Sequence, residues 1–419
     1  MTSENPQAQI SASLIDKARA IHGRVLSLDT HIDFAPVDLV GERNYTQRLE
    51  TQFNLPNMID GGLDALFFSI YVGQSRTAQY PDAFTPAGYE RAHRAAVEKF
   101  DAVRRFTGAI APDKIELALS AGDVKRIHAH GKKAALMGVE NGYPLGEDLA
   151  RVQEFYDRGA RYLSLTHNGH NQLADSHTGE REGWNWQGLS PLGKEIIGEM
   201  NRLGIMVDVS HASKETMLQA AALSKAPVIA SHSSVRALCD VSRNLDDEQL
   251  QALKASGGVL QVVAYGGFIK TTRPDSPERS TTLAAARKEF GLPESSGPGQ
   301  RARLQSRLKR LPPERRAAYE NKLAEIDQGH PGDRAADVRD FVDHIDYAVK
   351  SIGIDHVGIS SDFDGGGGIV GWNDAGETFN VTLELVRRGY SEEQIEKLWG
   401  ANLLRVMGET ERIAGWLTK

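Results

Sequence analysis

Short apolar, β-branched runs alternate with longer helical patterns along most of the chain. Eight runs stand out: Val25–Leu28, Ala65–Val72, Ala134–Val139, Tyr162–Leu165, Ile205–Val209, Pro227–Ala230, Gly258–Ala264 and His356–Ile359. Their length and their polar or Gly borders are those of strands buried on both faces of a parallel sheet. Between them the spacing predicts helices over Tyr89–Phe106, Leu149–Arg158, Pro191–Leu203, Lys214–Leu223 and Asp246–Ala255. Strand followed by helix, repeated eight times, is the plan of the (β/α)8 barrel, an α/β fold. Residues 1–419 read as one such domain.

One stretch breaks the repeat. From about Thr271 to Gly332 the chain turns polar, with Pro and Gly clusters around Pro293–Pro298 and at Pro312-Pro313. It reads as a polar helical insertion in the last βα connection. Arg301 to Glu325 carries eight Arg or Lys against three Glu, which fits either a nucleic-acid patch or a solvated helical excursion. The lack of a run of interleaved aromatic residues favours the second. A lid or an oligomer contact is also open to it.

Composition narrows the classes. A hydrophobic fraction of 40% over 419 residues is enough for a large core, so neither disulfide nor metal is needed merely to fold. The net charge of −7 argues against nucleic acid or an anionic membrane as the main partner. Cys239 is the only cysteine, which excludes an intrachain disulfide and a Cys-rich zinc site. No stretch approaches the roughly 18 apolar residues of a membrane span. Met1 to Ala18 is polar and the Gly415–Lys419 end is short, so neither a secretory signal nor a lipid-anchor signal is expected. The expectation is a soluble protein, cytoplasmic as it stands, and periplasmic or exported if a leader has been removed.

The residues that follow the runs carry the chemistry. The first run leads into Asp29-Thr30-His31-Ile32-Asp33, the third into Glu140 and the fourth into His167. His211 follows the fifth, His232 the sixth, Tyr265 the seventh and Asp362 the eighth. In a barrel these positions converge on one rim, where active sites lie. His31-x-Asp33 puts two side chains on one side of an extended segment, within reach of one metal. His211 and His232, taken alone, fit either metal ligands or hydrogen-bonded histidines at helix starts. Glu140 can bridge two cations, one per oxygen. The Gly365–Gly368 run permits close backbone approach but lacks the Lys and Ser/Thr of a phosphate loop. Three His and three carboxylates without Cys suit zinc, with manganese or cobalt as substitutes. Two divalent ions carry +4; Asp33, Glu140 and Asp362 remove three charges and a bridging hydroxide the fourth. A neutral buried cluster avoids the cost of uncompensated charge.

These segments together resemble the renal (membrane) dipeptidase family of the amidohydrolase superfamily. The matching stretches are Leu28–Asp33, Gly138–Gly142, Arg161–Asn168, Val207–His211, Ala226–Ser234, Arg243-Asn244 and Val357–Gly365. The likeness runs from Val25 to Met407, apart from the polar excursion. It implies that His31 and Asp33 bind one zinc, that His211 and His232 bind the other, and that Glu140 bridges them. His167 and Arg243 match the family's substrate-binding residues, Asp362 its catalytic carboxylate, and Tyr265 more loosely a further substrate contact. The implied reaction is hydrolysis of dipeptides, including those ending in a D-residue, by a hydroxide between the metals, in a homodimer. Mammalian members carry a lipid-anchor signal and disulfides, which this sequence does not. Other amidohydrolase reactions, on an N-acyl amino acid, lactone or phosphoester, and a non-catalytic metal-binding role, use the same scaffold. For Arg243 the residues alone allow a surface ion pair as readily as a carboxylate clamp.

Overall fold

The structure, a computed structural model, describes residues 11–74, 82–293 and 300–417. Expectations for the first ten residues, for the Pro293–Pro298 cluster beyond Pro293 and for the last two residues lie outside these. Among the described residues nine strands form a single parallel sheet: β1 (Leu28–Ile32), β2 (Ala65–Tyr71), β3 (Ile115–Leu117), β4 (Lys133–Glu140), β5 (Ala160–Ser164), β6 (Met206–Asp208), β7 (Ile229–Ser233), β8 (Val259–Val263) and β9 (Val357–Ser360). Eight of them follow one another in the order β1-β2-β4-β5-β6-β7-β8-β9, and β3 attaches to the flank of β4. The ring closes through Phe363 and Asp362. Asp33 N donates to Phe363 O at 2.9 Å and Asp362 N donates to His31 O at 3.1 Å. The chain is a (β/α)8 barrel.

Alternation along the strands sorts the core into two layers. Ala65 and Phe67 of β2 join a cluster with Leu136, Tyr162, Met206, Ile229 and Val259 from the other strands. Leu66, Phe68 and Ile70 belong to the larger cluster built with the surrounding helices. Period-two side-chain direction explains why neighbours in one strand serve different layers. Each fully buried Phe or Leu contributes about 1.5–3 kcal/mol relative to exposure, so the runs are held by burial on both faces.

Capping chemistry sets the helices the sequence predicts most closely. Ser190 accepts from Gly193 N ahead of Pro191–Leu203, which carries Pro at its first turn and ends at the left-handed Gly204. Ser213 caps Lys214–Leu223, and Asp246 with Gln249 forms a capping box before Asp247–Ala255.

Three strand positions differ from the sequence reading, one of them Glu140, which is the last residue of β4 and not the first after it. β1 begins at Leu28 and contains His31, and β7 contains His232. Both histidines lie within buried strands rather than after them. Their polar rings point into a site, which breaks the apolar run without ending the strand. β3 has no counterpart among the eight runs, because a single apolar–polar–apolar triplet, Ile115-Glu116-Leu117, is too short to stand out as a strand.

The polar excursion leaves the barrel after β8 and returns through the helix Val338–Ile352 into β9. It folds as the helices Pro277–Glu289, Gln300–Arg310 and Pro313–Gly329 around Ala286, Leu292, Tyr319 and Ile326. Part of its basic charge is paired with the barrel's own loops. Lys309 Nζ lies 2.6 Å from Asp374 and 2.9 Å from Glu377, while Arg307 and Arg310 approach Glu50 at 3.2 and 3.0 Å.

Candidate metal centre

The strand ends bring His31, Asp33, Glu140, His167, His211, His232, Tyr265 and Asp362 around one cavity of about 660 Å³, although they span more than 300 positions of sequence. A wider groove of about 820 Å³ beside it, lined by Tyr89, Trp186 and Leu192, gathers no such set of ligating groups among the described residues.

Glu140, the last residue of β4, stands at the middle. Its Oε2 lies 3.3 Å from His31 Nε2, and Asp33 Oδ2 lies 3.4 Å from the same nitrogen. Its Oε1 faces the other way, 3.2 Å from His211 Nε2 and 3.4 Å from His232 Nε2. Two potential ligand groups, His31/Asp33/Glu140 and Glu140/His211/His232, therefore share one carboxylate. A third, His31/His232/Asp362, closes the triangle. His167 Nε2 is 3.6 Å from Glu140 Oε1.

The imidazoles are oriented by what holds their other nitrogens. His31 Nδ1 pairs with Tyr162 Oη at 2.9 Å, and that hydroxyl donates in turn to Thr30 O. His232 Nδ1 meets Ser231 Oγ at 2.8 Å, which donates to Asp208 Oδ2. His211 Nδ1 lies 3.1 Å from Asn168 Oδ1. Each arrangement directs Nε2 toward the centre, in the way that outer hydrogen bonds set metal-binding histidines. Gly138 makes room for one of these partners, since a Cβ there would enter the Tyr162 ring.

The donor set fits a cation. His31 Nε2 is fully buried and makes no hydrogen bond, despite two carboxylate oxygens within 3.4 Å. His211 Nε2 and His232 Nε2 face each other at 3.0 Å, and burial holds both imidazoles well below their usual range, so both are neutral. Two lone pairs at that distance repel unless an ion or proton lies between them. Burial pushes the Glu140 carboxyl up, but His31, His167, His211 and His232 outweigh it and hold it well below the usual range. Burial raises Asp362 well above its own range, with Asp33 and Glu140 adding to the effect.

Strain and close approach concentrate here. Among the described residues five non-glycines have positive φ, and Asn141, His211, Asp362 and Asp364 are four of them. Each such residue costs on the order of 1–3 kcal/mol, which the surrounding packing must offset. A Cβ on Gly365 would strike the carboxylates of Asp33 and Asp362, so glycine is required there.

Arg243 is not a surface ion pair. It is 3% exposed, and its guanidinium donates to Ser233 Oγ at 2.6 Å and His232 O at 2.7 Å. Its Nε has no partner. The guanidinium carbon lies 5.5 Å from the ring centre of Phe268, which stacks on Tyr265 at 4.2 Å and lines the cavity. Tyr162, Asn168, Asp208 and Lys99 also belong to the site or its support, and the sequence reading does not single them out. A small residue facing a large one across strands, Gly138 against Tyr162, is the one signal that would have pointed to Tyr162.

A parallel barrel with imidazoles and carboxylates clustered at the strand ends defines a hydrolase scaffold of the metal-dependent type. The chain belongs to the membrane dipeptidase family (Peptidase family M19), whose model matches residues 15–418. It is 31% identical to dipeptidase aclJ of Aspergillus oryzae over 93% of this chain and 79% of that one, and 30% identical to dipeptidase tcpJ of Claviceps purpurea over 88% and 72%. Among solved structures it is similar to the probable dipeptidase PvdM of Pseudomonas aeruginosa, with 35% identity, a TM-score of 0.76 and coverage of 96% and 100%. A metallo peptidase of Rhodobacter sphaeroides, solved with a phosphinate mimic of the dipeptide L-Ala-D-Ala, shares the fold at 22% identity and a TM-score of 0.67, with coverage of 92% and 99%. Among the described residues no helix is long and apolar enough to cross a membrane.

Proposed function

We propose that this family member is a zinc-dependent dipeptidase with two metal ions per chain, held by His31 and Asp33 on one side, by His211 and His232 on the other, and by Glu140 between them. The observation that carries the reading is the opposed use of the two Glu140 oxygens: Oε2 faces His31 Nε2 at 3.3 Å, with Asp33 in the same ligand group, and Oε1 faces His211 and His232 at 3.2 and 3.4 Å. Bound there, the ions supply Lewis acidity to the scissile carbonyl and to an attacking water.

The chain's own residues do the rest. Asp362 stands beside both His31 and His232. Its carboxylate takes the proton of the attacking water and delivers it to the leaving amine. His167, at the cavity wall next to Glu140, donates to the oxygen on which negative charge develops. Arg243 holds the terminal carboxylate of the dipeptide. Its Nε–H is unpaired, and each terminal nitrogen keeps a hydrogen beyond those used on Ser233 and His232. Tyr265 and the Phe268 ring stacked on it form the wall beside that carboxylate. The family resemblance further supports acceptance of a C-terminal D-residue and a homodimer.

Two measurements test this. Removing metal with a chelator should abolish dipeptide hydrolysis, and adding back zinc should restore it at close to two equivalents per chain. Full activity in metal-free protein, or no turnover of any dipeptide, overturns the reading. Arg243→Ala should raise KM for dipeptides by roughly 10–100-fold, the scale of a lost charge-assisted hydrogen bond. A C-terminally amidated dipeptide, already poorly bound, should lose much less. An equal loss on both removes the carboxylate clamp.

A further inference from the structure

Lys99 has no part in the chemistry above, yet it lines the same cavity. It projects from the helix Pro86–Arg105, which follows β2, and its Nζ donates to Phe34 O at 3.2 Å. The ammonium lies over two ring faces, 4.9 Å from the centre of Phe34 and 6.0 Å from that of Tyr71. Among the described residues no carboxylate comes within 4.0 Å of it, whereas Lys309 and Arg310 at the nearby rim are both paired. Asp33 and Glu140 act on it through the field alone, and both face His31 Nε2. One hydrogen bond leaves two of the three ammonium N–H groups free.

A half-buried cation with spare donors, walled by aromatic rings and open to the cavity, is a site for an anionic group. Its position says which one. Arg243 stands at the wall built by Ser233, His232 and Phe268. Lys99 stands at the wall built by Phe34 and Tyr71, with Tyr71 4.5 Å from the His167 ring. Glu140 acts electrostatically on both cations, Lys99 and Arg243. If the dipeptide's C-terminal carboxylate sits on Arg243 and its scissile bond at Glu140, the separate Phe34, Tyr71 and Lys99 wall is left for the side chain of the N-terminal residue.

We propose that Lys99 is a specificity-determining residue, which selects dipeptides whose N-terminal residue carries a side-chain carboxylate. Its stem and the two rings receive the methylene groups, and the ammonium receives the carboxylate. The inference rests on the dipeptidase reading for the direction in which substrate lies. Asp38 also lines the cavity and is half-buried; it makes preference for a basic side chain the competing outcome.

The test compares Glu-Ala, Gln-Ala and Lys-Ala on the zinc-loaded enzyme and on Lys99→Gln. Glu and Gln are nearly isosteric, so their ratio isolates charge. The wild-type enzyme should show kcat/KM about tenfold or more higher for Glu-Ala than for Gln-Ala, the scale of one charge-assisted contact. Lys99→Gln should bring that ratio close to one, and Lys99→Arg should restore most of it. A ratio near one in the wild type, a preference for Lys-Ala, or a ratio unchanged by Lys99→Gln overturns the proposal. If no dipeptide is hydrolysed, the dipeptidase reading fails, and calorimetric binding of Glu-Ala against Gln-Ala still decides on Lys99. Tighter binding of Glu-Ala that vanishes in the variant supports the assignment, and equal binding refutes it.

Discussion

Asp362→Asn should reduce kcat by roughly 10²–10⁴-fold, the range contributed by a positioned general acid–base group, while the metal content stays unchanged. The substitution separates proton transfer from architecture unusually well at this position. Asp362 adopts φ 57°, a left-handed conformation that Asn tolerates better than most residues. Its backbone N–H closes the barrel by donating to His31 O, and Asn retains that bond. The side chain keeps its shape and a carbonyl oxygen, but loses the ability to accept and return a proton. Metal analysis beside steady-state kinetics reads both properties on one sample. Retained turnover would remove Asp362 from the proton path, and loss of metal would recast it as a ligand.

Glu140→Gln should have the larger structural consequence. A glutamine cannot present two anionic oxygens, so one of the two faces now served at 3.2–3.4 Å would meet an amide N–H instead. The exchange also removes one of the negative charges that would balance the proposed ions. Metal should fall from about two per chain to one or fewer, and turnover by at least about a thousandfold, the scale set by losing a central electrostatic contact. Elemental analysis of the purified variant checks the first part. Two ions retained with near wild-type turnover would show that Glu140 is not the bridge.

Much of the barrel was legible because its signals are local. Pro191–Leu203 and Lys214–Leu223 match the sequence reading to the residue, since Ser caps, an N-terminal Pro and a C-terminal Gly are written beside the helices they delimit. β1 and β7 were misplaced for the opposite reason. His31 and His232 break an apolar run that the strands continue through, because an inward-facing imidazole is polar in sequence and buried in space. The family segments include His31, His167, His211 and His232, which face Glu140, but not Ser69, whose Oγ donates to Glu140 Oε2 at 3.1 Å. Lys99 and Asn168 escaped because a lysine on an amphipathic helix and an asparagine in a loop look like solvent-facing residues until the fold turns them inward.

By itself the sequence determined the eight strands of the ring, their order and which imidazoles and carboxylates lie near their ends, since these come from periodicity, caps and residue chemistry. Tertiary structure alone decided which nitrogen of each imidazole faces the centre, that Arg243 is buried with an unpaired Nε, and that Lys99 reaches the cavity. The physical reason is distance along the chain. His31 and Tyr162 are 131 positions apart, and a hydrogen bond between residues so separated exists only once the ring of strands has closed.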